Sequence, residues 1–205
     1  MKIMFKKVLF ILLLSFSAFA QYEVKKTIPT DADLDIEDYW ETELSPITDQ
    51  NEVVSFIHND SFNYFFIDNI PGGNPLAREI SVNSFYGARL HPIHKILKFH
   101  RGIDLKGVNG EIAVASGNGK VIETGFKEDL GNYIKISHKY GFESIYGHLS
   151  KISVKKGQNV KKGQTIGKVG QTGKVTGPHL HYTLKKNGEY FDPFDFLFMN
   201  FQKNW

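Results

Sequence analysis

The chain of 205 residues contains no cysteine. No disulfide framework can hold the fold, no lipid can be attached through a thiol, and no soft Cys-type zinc site can form. Long apolar runs are equally scarce. The uninterrupted run 8–14 falls short of the about 20 residues that span a bilayer. A large charge of one sign is also missing, since the formal net charge is +3. With 41% hydrophobic residues and 19 glycines against 7 prolines, the composition is that of a globular chain and excludes wholesale disorder.

What is present begins at the N-terminus. Lys2, Lys6 and Lys7 precede the apolar run, and Ala18-Phe19-Ala20 follows with small residues at the two positions a signal peptidase reads. Residues 1–20 therefore read as a signal peptide, with an uncleaved N-terminal anchor as the alternative. Either way the remainder is expected to be exported, to the periplasm or to the cell wall and exterior, with no transmembrane segment once the signal is removed. Without those three lysines the chain carries 22 basic and 22 acidic side chains. The neutrality hides a dipole: residues 21–60 sum to −9 and residues 61–205 to +9. A basic exported domain suits an anionic wall polymer or membrane surface, and the compartment disfavours nucleic acid.

Two zones follow the signal. Residues 21–74 form an acidic N-terminal segment and residues 75–205 the main domain. Within the segment, Asp31, Asp33, Asp35, Glu37, Asp38, Glu41 and Glu43 crowd around Tyr39 and Trp40. A stretch so acidic and weakly periodic reads as a solvated, partly disordered tether. The other reading is intramolecular docking of this segment onto the basic domain, with a carboxylate near the groove. Asp49 and Glu52 resemble a capping box for a short helix running through Val53, Val54 and Ile57. The aromatics Phe62, Tyr64, Phe65 and Phe66 are expected to pack on the main domain, and Pro71-Gly72-Gly73 marks a turn.

From residue 75 onward, short β-branched runs alternate with glycine turns. Strands are predicted at 112–115, 120–126, 133–137, 143–146, 165–169, 179–184 and 189–191, with Asn187-Gly188 as a hairpin turn between the last two. The fold expected is all-β, an antiparallel sheet or sandwich with a short N-terminal helical or irregular extension. Two copies of Val-Lys-Lys-Gly-Gln, at 154–158 and 160–164, read as tandem structural turns. Asp192-Pro193 reads as the cap and first turn of a closing helix, and Tyr190, Phe191, Phe194, Phe196 and Phe198 as core.

Four of the eight histidines stand in organised places. His100 and Asp104 are four apart in His-Arg-Gly-Ile-Asp, His148 lies in Tyr-Gly-His-Leu, and His179 and His181 are two apart in Gly-Pro-His-Leu-His. On a strand, His179, His181 and Thr183 share one face, and Leu180, Tyr182 and Leu184 share the other. The first face then presents two imidazoles about 7 Å apart. Catalytic zinc takes three N or O ligands and a water. His100, Asp104 and one histidine of the 179/181 pair would supply such a set, and Gly102 would let the backbone turn so that the ligands converge. Two histidines on one face can also be structural, hydrogen-bonded residues. His91 reads as a structural rim residue, His94 as loop, and His58 lies outside the domain. His138 serves a turn at a strand end, or approaches the cleft.

Phe85-Tyr86-Gly87-Ala88-Arg89-Leu90-His91-Pro92, His100-Arg101-Gly102-Ile103-Asp104, Tyr146-Gly147-His148-Leu149, and Thr172-Gly173 through Gly177-Pro178-His179-Leu180-His181 resemble, in order, the motifs of lysostaphin-type (LytM-like) zinc endopeptidases. The resemblance covers about residues 80–197. It implies one zinc ion per chain held by His100, Asp104 and His181, with His148 and His179 as the catalytic pair. It further implies hydrolysis of peptide bonds in the stem peptide or cross-bridge of peptidoglycan. One departure is the Tyr86 inserted between Phe85 and Gly87, expected at the cleft rim and bearing on substrate fit. A non-catalytic relative that regulates other wall enzymes or binds the wall is the first rival. A barrel-sandwich adaptor suggested by the Val-Lys-Lys-Gly-Gln turns is the second, although it gives the histidine pairs no role.

Overall fold

Alternating small, β-branched and aromatic residues build most of the described chain. The computed structural model describes residues 31–59, 67–90 and 96–197. The signal-peptide reading of residues 1–20, the aromatic stretch 62–66, His91, His94 and Phe198 fall outside the described residues. Residues 35–205 form one compact unit.

Helices α1 (Asp31–Leu44) and α2 (Gln50–Asn59) come first, then a single 3-10 turn at Ile67–Asn69. Twelve strands follow among the described residues: β1 (Val82–Ser84), β2 (Gly87–Leu90), β3 (Leu97–His100), β4 (Ile103–Lys106), β5 (Ile112–Val114), β6 (Gly119–Lys127), β7 (Gly131–Ser137), β8 (Phe142–Ile152), β9 (Asn159–Val160), β10 (Thr165–Val169), β11 (His179–Lys186) and β12 (Glu189–Phe191). A last helical turn, α3, spans Phe194–Leu197. Ten strands form one antiparallel sheet in the order β1-β4-β11-β8-β7-β6-β9, with β10 pairing β5 and β8, and β12 pairing β11. β2 and β3 make a separate hairpin. The all-β expectation holds.

The alternation on β11 sets the inside and the outside. Leu180, Tyr182 and Leu184 are fully buried, and the main core gathers the first two with Ile103, Leu105, Ile134, Leu149 and Val169. Asn187 and Gly188 have φ of 50° and 88°, the two positive values that a two-residue hairpin turn requires. Asp49 Oδ1 accepts from the Glu52 amide at 3.0 Å, capping α2. Asp192 Oδ1 accepts from the Phe194 amide at 2.9 Å at the head of α3.

The acidic segment forms a helix where its weak periodicity suggests a tether. Trp40 and Leu44 of α1 and Val53 and Ile57 of α2 are fully buried with Tyr140, Phe142, Leu184, Phe191 and Phe196. Asp38, Glu41 and Glu43 stay exposed. Burial of a large apolar side chain is worth about 1.5–3 kcal/mol, whereas an exposed ion pair is worth about 0–1 kcal/mol. Apolar packing rather than charge complementarity therefore seats these helices, and docking of a carboxylate over the groove finds no support in their packing. The buried Lys186 donates to the carbonyls of Ser45 and Tyr140 at 3.0 and 2.9 Å, tying the end of α1 to the sheet.

Candidate metal centre and its histidines

β11 lies between β4 and β8, and its register places His181 opposite Asp104 on one side and opposite Gly147 on the other. Two connections then bring in the remaining groups. Arg101-Gly102 links β3 to β4, so that His100 ends one strand just before Asp104 enters the next. A Cβ on Gly102 would lie 2.6 Å from the Tyr182 carbonyl oxygen and 2.8 Å from His181 Cε1. Its φ is not among the positive ones. The residue is needed for close approach to β11, not for the backbone turn that its position in the motif suggests.

His148 arrives by a β-bulge. Asn132 pairs with Leu149 and Ile134 with Tyr146, so Tyr133 alone faces Gly147 and His148. The extra residue kinks β8 and re-aims a side chain. His148 takes φ of 61°, a left-handed conformation that costs a non-glycine residue energy. Its amide donates to the Leu130 carbonyl at 2.6 Å, which holds the kink.

The side chains converge on one point. His100 Nε2, Asp104 Oδ1 and His181 Nδ1 lie 2.8–3.2 Å from one another. A tetrahedral zinc shell with ligands at about 2.0–2.1 Å has edges of about 3.3 Å, so the triangle is already close to one face of such a shell. Proton placement agrees with this. His100 Nδ1 lies 2.9 Å from the Phe85 carbonyl. A carbonyl only accepts, so that nitrogen carries the hydrogen and Nε2 presents a lone pair. His181 can place its proton on Nε2, donated to Thr183 Oγ1 at 3.0 Å, leaving Nδ1 free to bind. These donor atoms suit zinc by type, spacing and protonation, and among the described residues they form the one group of three or more potential ligands.

His148 and His179 flank this triangle, their ring centroids 4.7 Å apart. Each gives its Nδ1 proton to a backbone carbonyl at 2.9 Å, His148 to Thr172 and His179 to Gly177. Both Nε2 atoms are thus left as acceptors, and that of His179 stands 3.6 Å from Asp104 Oδ1. Burial, reinforced by His181 and His179, lowers the pKa of His148 to about 4.

Several participants escaped the sequence reading. Arg89 Nη2 reaches Asp104 Oδ2 at 3.3 Å, holding the carboxylate oxygen that faces away from the histidines. The Phe85 carbonyl orients His100, and Tyr86, the insertion expected at the rim, packs edge-on against Phe99 and donates to the Tyr190 carbonyl at 3.1 Å. The inserted Tyr86 therefore braces the hairpin that carries His100.

His138 does not approach the cleft. It is buried, 2.7 Å from both the Asn118 carbonyl and Ser144 Oγ, in a network continuing through Tyr146, Ser116 and Tyr182. Burial lowers its pKa from 6.5 to about 4. The unfolded chain binds a proton below 6.5 that the folded one refuses until about 4. Stability from this group is therefore complete above pH 6.5 and lost as pH falls towards 4, by about 1.4 kcal/mol per unit and about 3 kcal/mol in all. Urea unfolding at several pH values should show His138→Gln losing less stability than wild type across this window. Parallel curves would show that His138 does not govern it.

Residues 98–193 match the model of peptidase family M23. The DD-carboxypeptidase/endopeptidase Mpg of Neisseria meningitidis is 42% identical over 112 residues, 55% of this chain and 26% of the relative. The chain thus spans about a quarter of that curated protein's length. A zinc containing peptidase from Vibrio cholerae aligns with a TM-score of 0.55 at 37% identity, over 58% of this chain and 37% of that one. The catalytic domain of lysostaphin from Staphylococcus simulans aligns with a TM-score of 0.53 at 34% identity, over 57% of this chain and 91% of the domain. With nearly the whole of a peptidase catalytic domain matched at that identity, the chain belongs to peptidase family M23.

Proposed function

We propose that the protein is an exported zinc endopeptidase that hydrolyses peptide bonds of peptidoglycan. The observation that carries this is the triangle of lone pairs from His100 Nε2, Asp104 Oδ1 and His181 Nδ1, with edges of 2.8–3.2 Å, flanked by the acceptor nitrogens of His148 and His179. In this reading the triangle holds one zinc ion. Bound there, zinc supplies Lewis-acid polarisation of a carbonyl and acidifies a water. Asp104 brings one negative charge to two neutral imidazoles, so the site keeps net positive charge for that purpose.

The flanking histidines manage the proton. At neutral pH burial keeps His148 unprotonated, with its remaining hydrogen fixed on Nδ1 by the Thr172 carbonyl. Its Nε2 can therefore accept the proton of the attacking water and return it to the departing amine. The hydrogen bond from His179 Nδ1 to Gly177 fixes that ring in the same sense, with Nε2 turned towards Asp104.

Three features support the peptidoglycan substrate: the family, the printed activity of the Neisseria relative, and the excess of basic residues over 61–205. Export would follow from residues 1–20. No helix among the described residues is long and apolar enough to cross a membrane. The test is digestion of purified cross-linked muropeptides, with products identified by mass spectrometry. Each cut should add one water to a peptide bond, stop with a chelator and resume with zinc. Zinc-loaded protein that binds muropeptides but cuts none would favour the regulator instead.

A further inference from the structure

We propose that Lys151 and Lys168 form an anion-recognising extension of the groove, which binds a carboxylate of the peptide substrate about two residues from the scissile bond. This rests on the peptidase reading above and adds a substrate feature to it.

Lys151 on β8 and Lys168 on β10 are direct cross-strand partners. Side chains at paired positions stand on the same side of a sheet, where like charges repel. Both lysines are exposed, and no salt bridge to an acid relieves either of them among the described residues. Val169, next to Lys168, is fully buried, so Lys168 and its cross-strand partner Lys151 point away from the core. The catalytic histidines do the same. Two like charges held side by side on the outer face are stabilised when an anion lies between them.

Their place relative to the site follows from the register. Gly170 bridges His179 across the strands, and Lys168 lies two residues earlier on the same face. Two strand residues and one strand spacing put Lys168 about 8 Å from His179, backbone to backbone. Lys151 is three residues beyond His148 on β8. An extended peptide advances about 3.3–3.6 Å per residue, so a ligand crossing the catalytic pair reaches the lysines about two residues later. Lys151 also borders an open hollow of about 470 Å³ that Lys155 and Gln158 line. Lysines are mobile point charges without the planar fork of arginine. They suit carboxylates whose positions vary along a polymer.

The experiment is calorimetric titration of the zinc-loaded protein with an uncross-linked muropeptide, as free acid and with every carboxylate amidated. At low salt the wild type should bind the acid about tenfold tighter than the amide, the scale of two partly exposed charge contacts. In Lys151→Gln/Lys168→Gln the ratio should fall below about twofold. A wild-type ratio near one, or an unchanged ratio in the double variant, overturns the proposal. So does lysine-dependent binding to anionic lipid vesicles in place of the acid peptide. A parallel assay on cross-linked dimers separates the two readings. Acid-selective binding without cleavage sinks the peptidase reading and leaves the lysine subsite, and cleavage without acid selectivity does the reverse.

Discussion

Replacing His100, Asp104 or His181 singly with alanine is expected to remove zinc and activity together. Each substitution takes away one of three lone pairs whose mutual distances are 2.8–3.2 Å. Loss of a hydrogen-bond partner behind a ligand costs about 10–100-fold in metal affinity, and loss of the ligand itself must cost more. Asp104→Ala has a second consequence, because it also frees Arg89, whose guanidinium is 3.3 Å from the carboxylate. An unpaired cation would then face two imidazoles and a metal ion, so this variant should bind zinc most weakly. Chelator competition followed by metal analysis measures the affinity, and thermal melts with and without zinc report the same loss as a vanished stabilisation. Thr183→Val supplies the internal scale: it removes the acceptor 3.0 Å from His181 Nε2 while keeping all three ligands, and should cost about 10–100-fold. Full zinc occupancy in the three alanine variants would dismiss the ligand set.

Apart from the two-residue β9, the strands between residues 112 and 191 were legible because glycine turns separate their β-branched runs, and 165–169 and 189–191 coincide with the predicted bounds. β8 runs six residues past its expected end because Gly147 and His148 break the alternation as a bulge, which resembles a loop in the sequence. β1 to β4 were hidden for a related reason. Residues 82–106 mix Arg, His, Lys and Gly at positions chosen for the site, so the apolar alternation that signals a strand is overwritten. In α1 Ile36, Trp40 and Leu44 stand four apart, a helical spacing masked by the acids that surround it, and Trp40 and Leu44 pack into the core. The five site residues stood out because short spacings carry them. What orients them did not, since the carbonyls of Phe85, Thr172 and Gly177 are backbone atoms that every sequence possesses. Arg89 was visible in its motif, but its role depends on the approach of β2 to β4, which no local spacing encodes.

His148→Ala and His179→Ala should keep most of their zinc and lose activity by about 10²–10⁴-fold, the scale of a general acid–base group. Neither ring supplies an edge of the ligand triangle. His148 is turned to the site by a bulge, and His179 Nε2 stands 3.6 Å from Asp104 Oδ1 where His181 Nδ1 stands at 2.8 Å. On the difference of 0.8 Å between these two distances we propose His181 for the metal and His179 for the proton. Both histidines give Nδ1–H to a carbonyl and keep Nε2 as an acceptor, and with ring centroids 4.7 Å apart they would work as one unit in the proposed mechanism. Groups that work as a unit are not additive. The double variant should therefore be little slower than the worse single one, and a full product of the two losses would mean separate steps. Zinc content must be measured on the same samples as the rates. If His179→Ala loses its metal while His181→Ala retains it, the two residues have exchanged roles. If both keep zinc and only His148→Ala is slow, His179 positions the groove rather than the proton, and one histidine must carry the transfer in both directions.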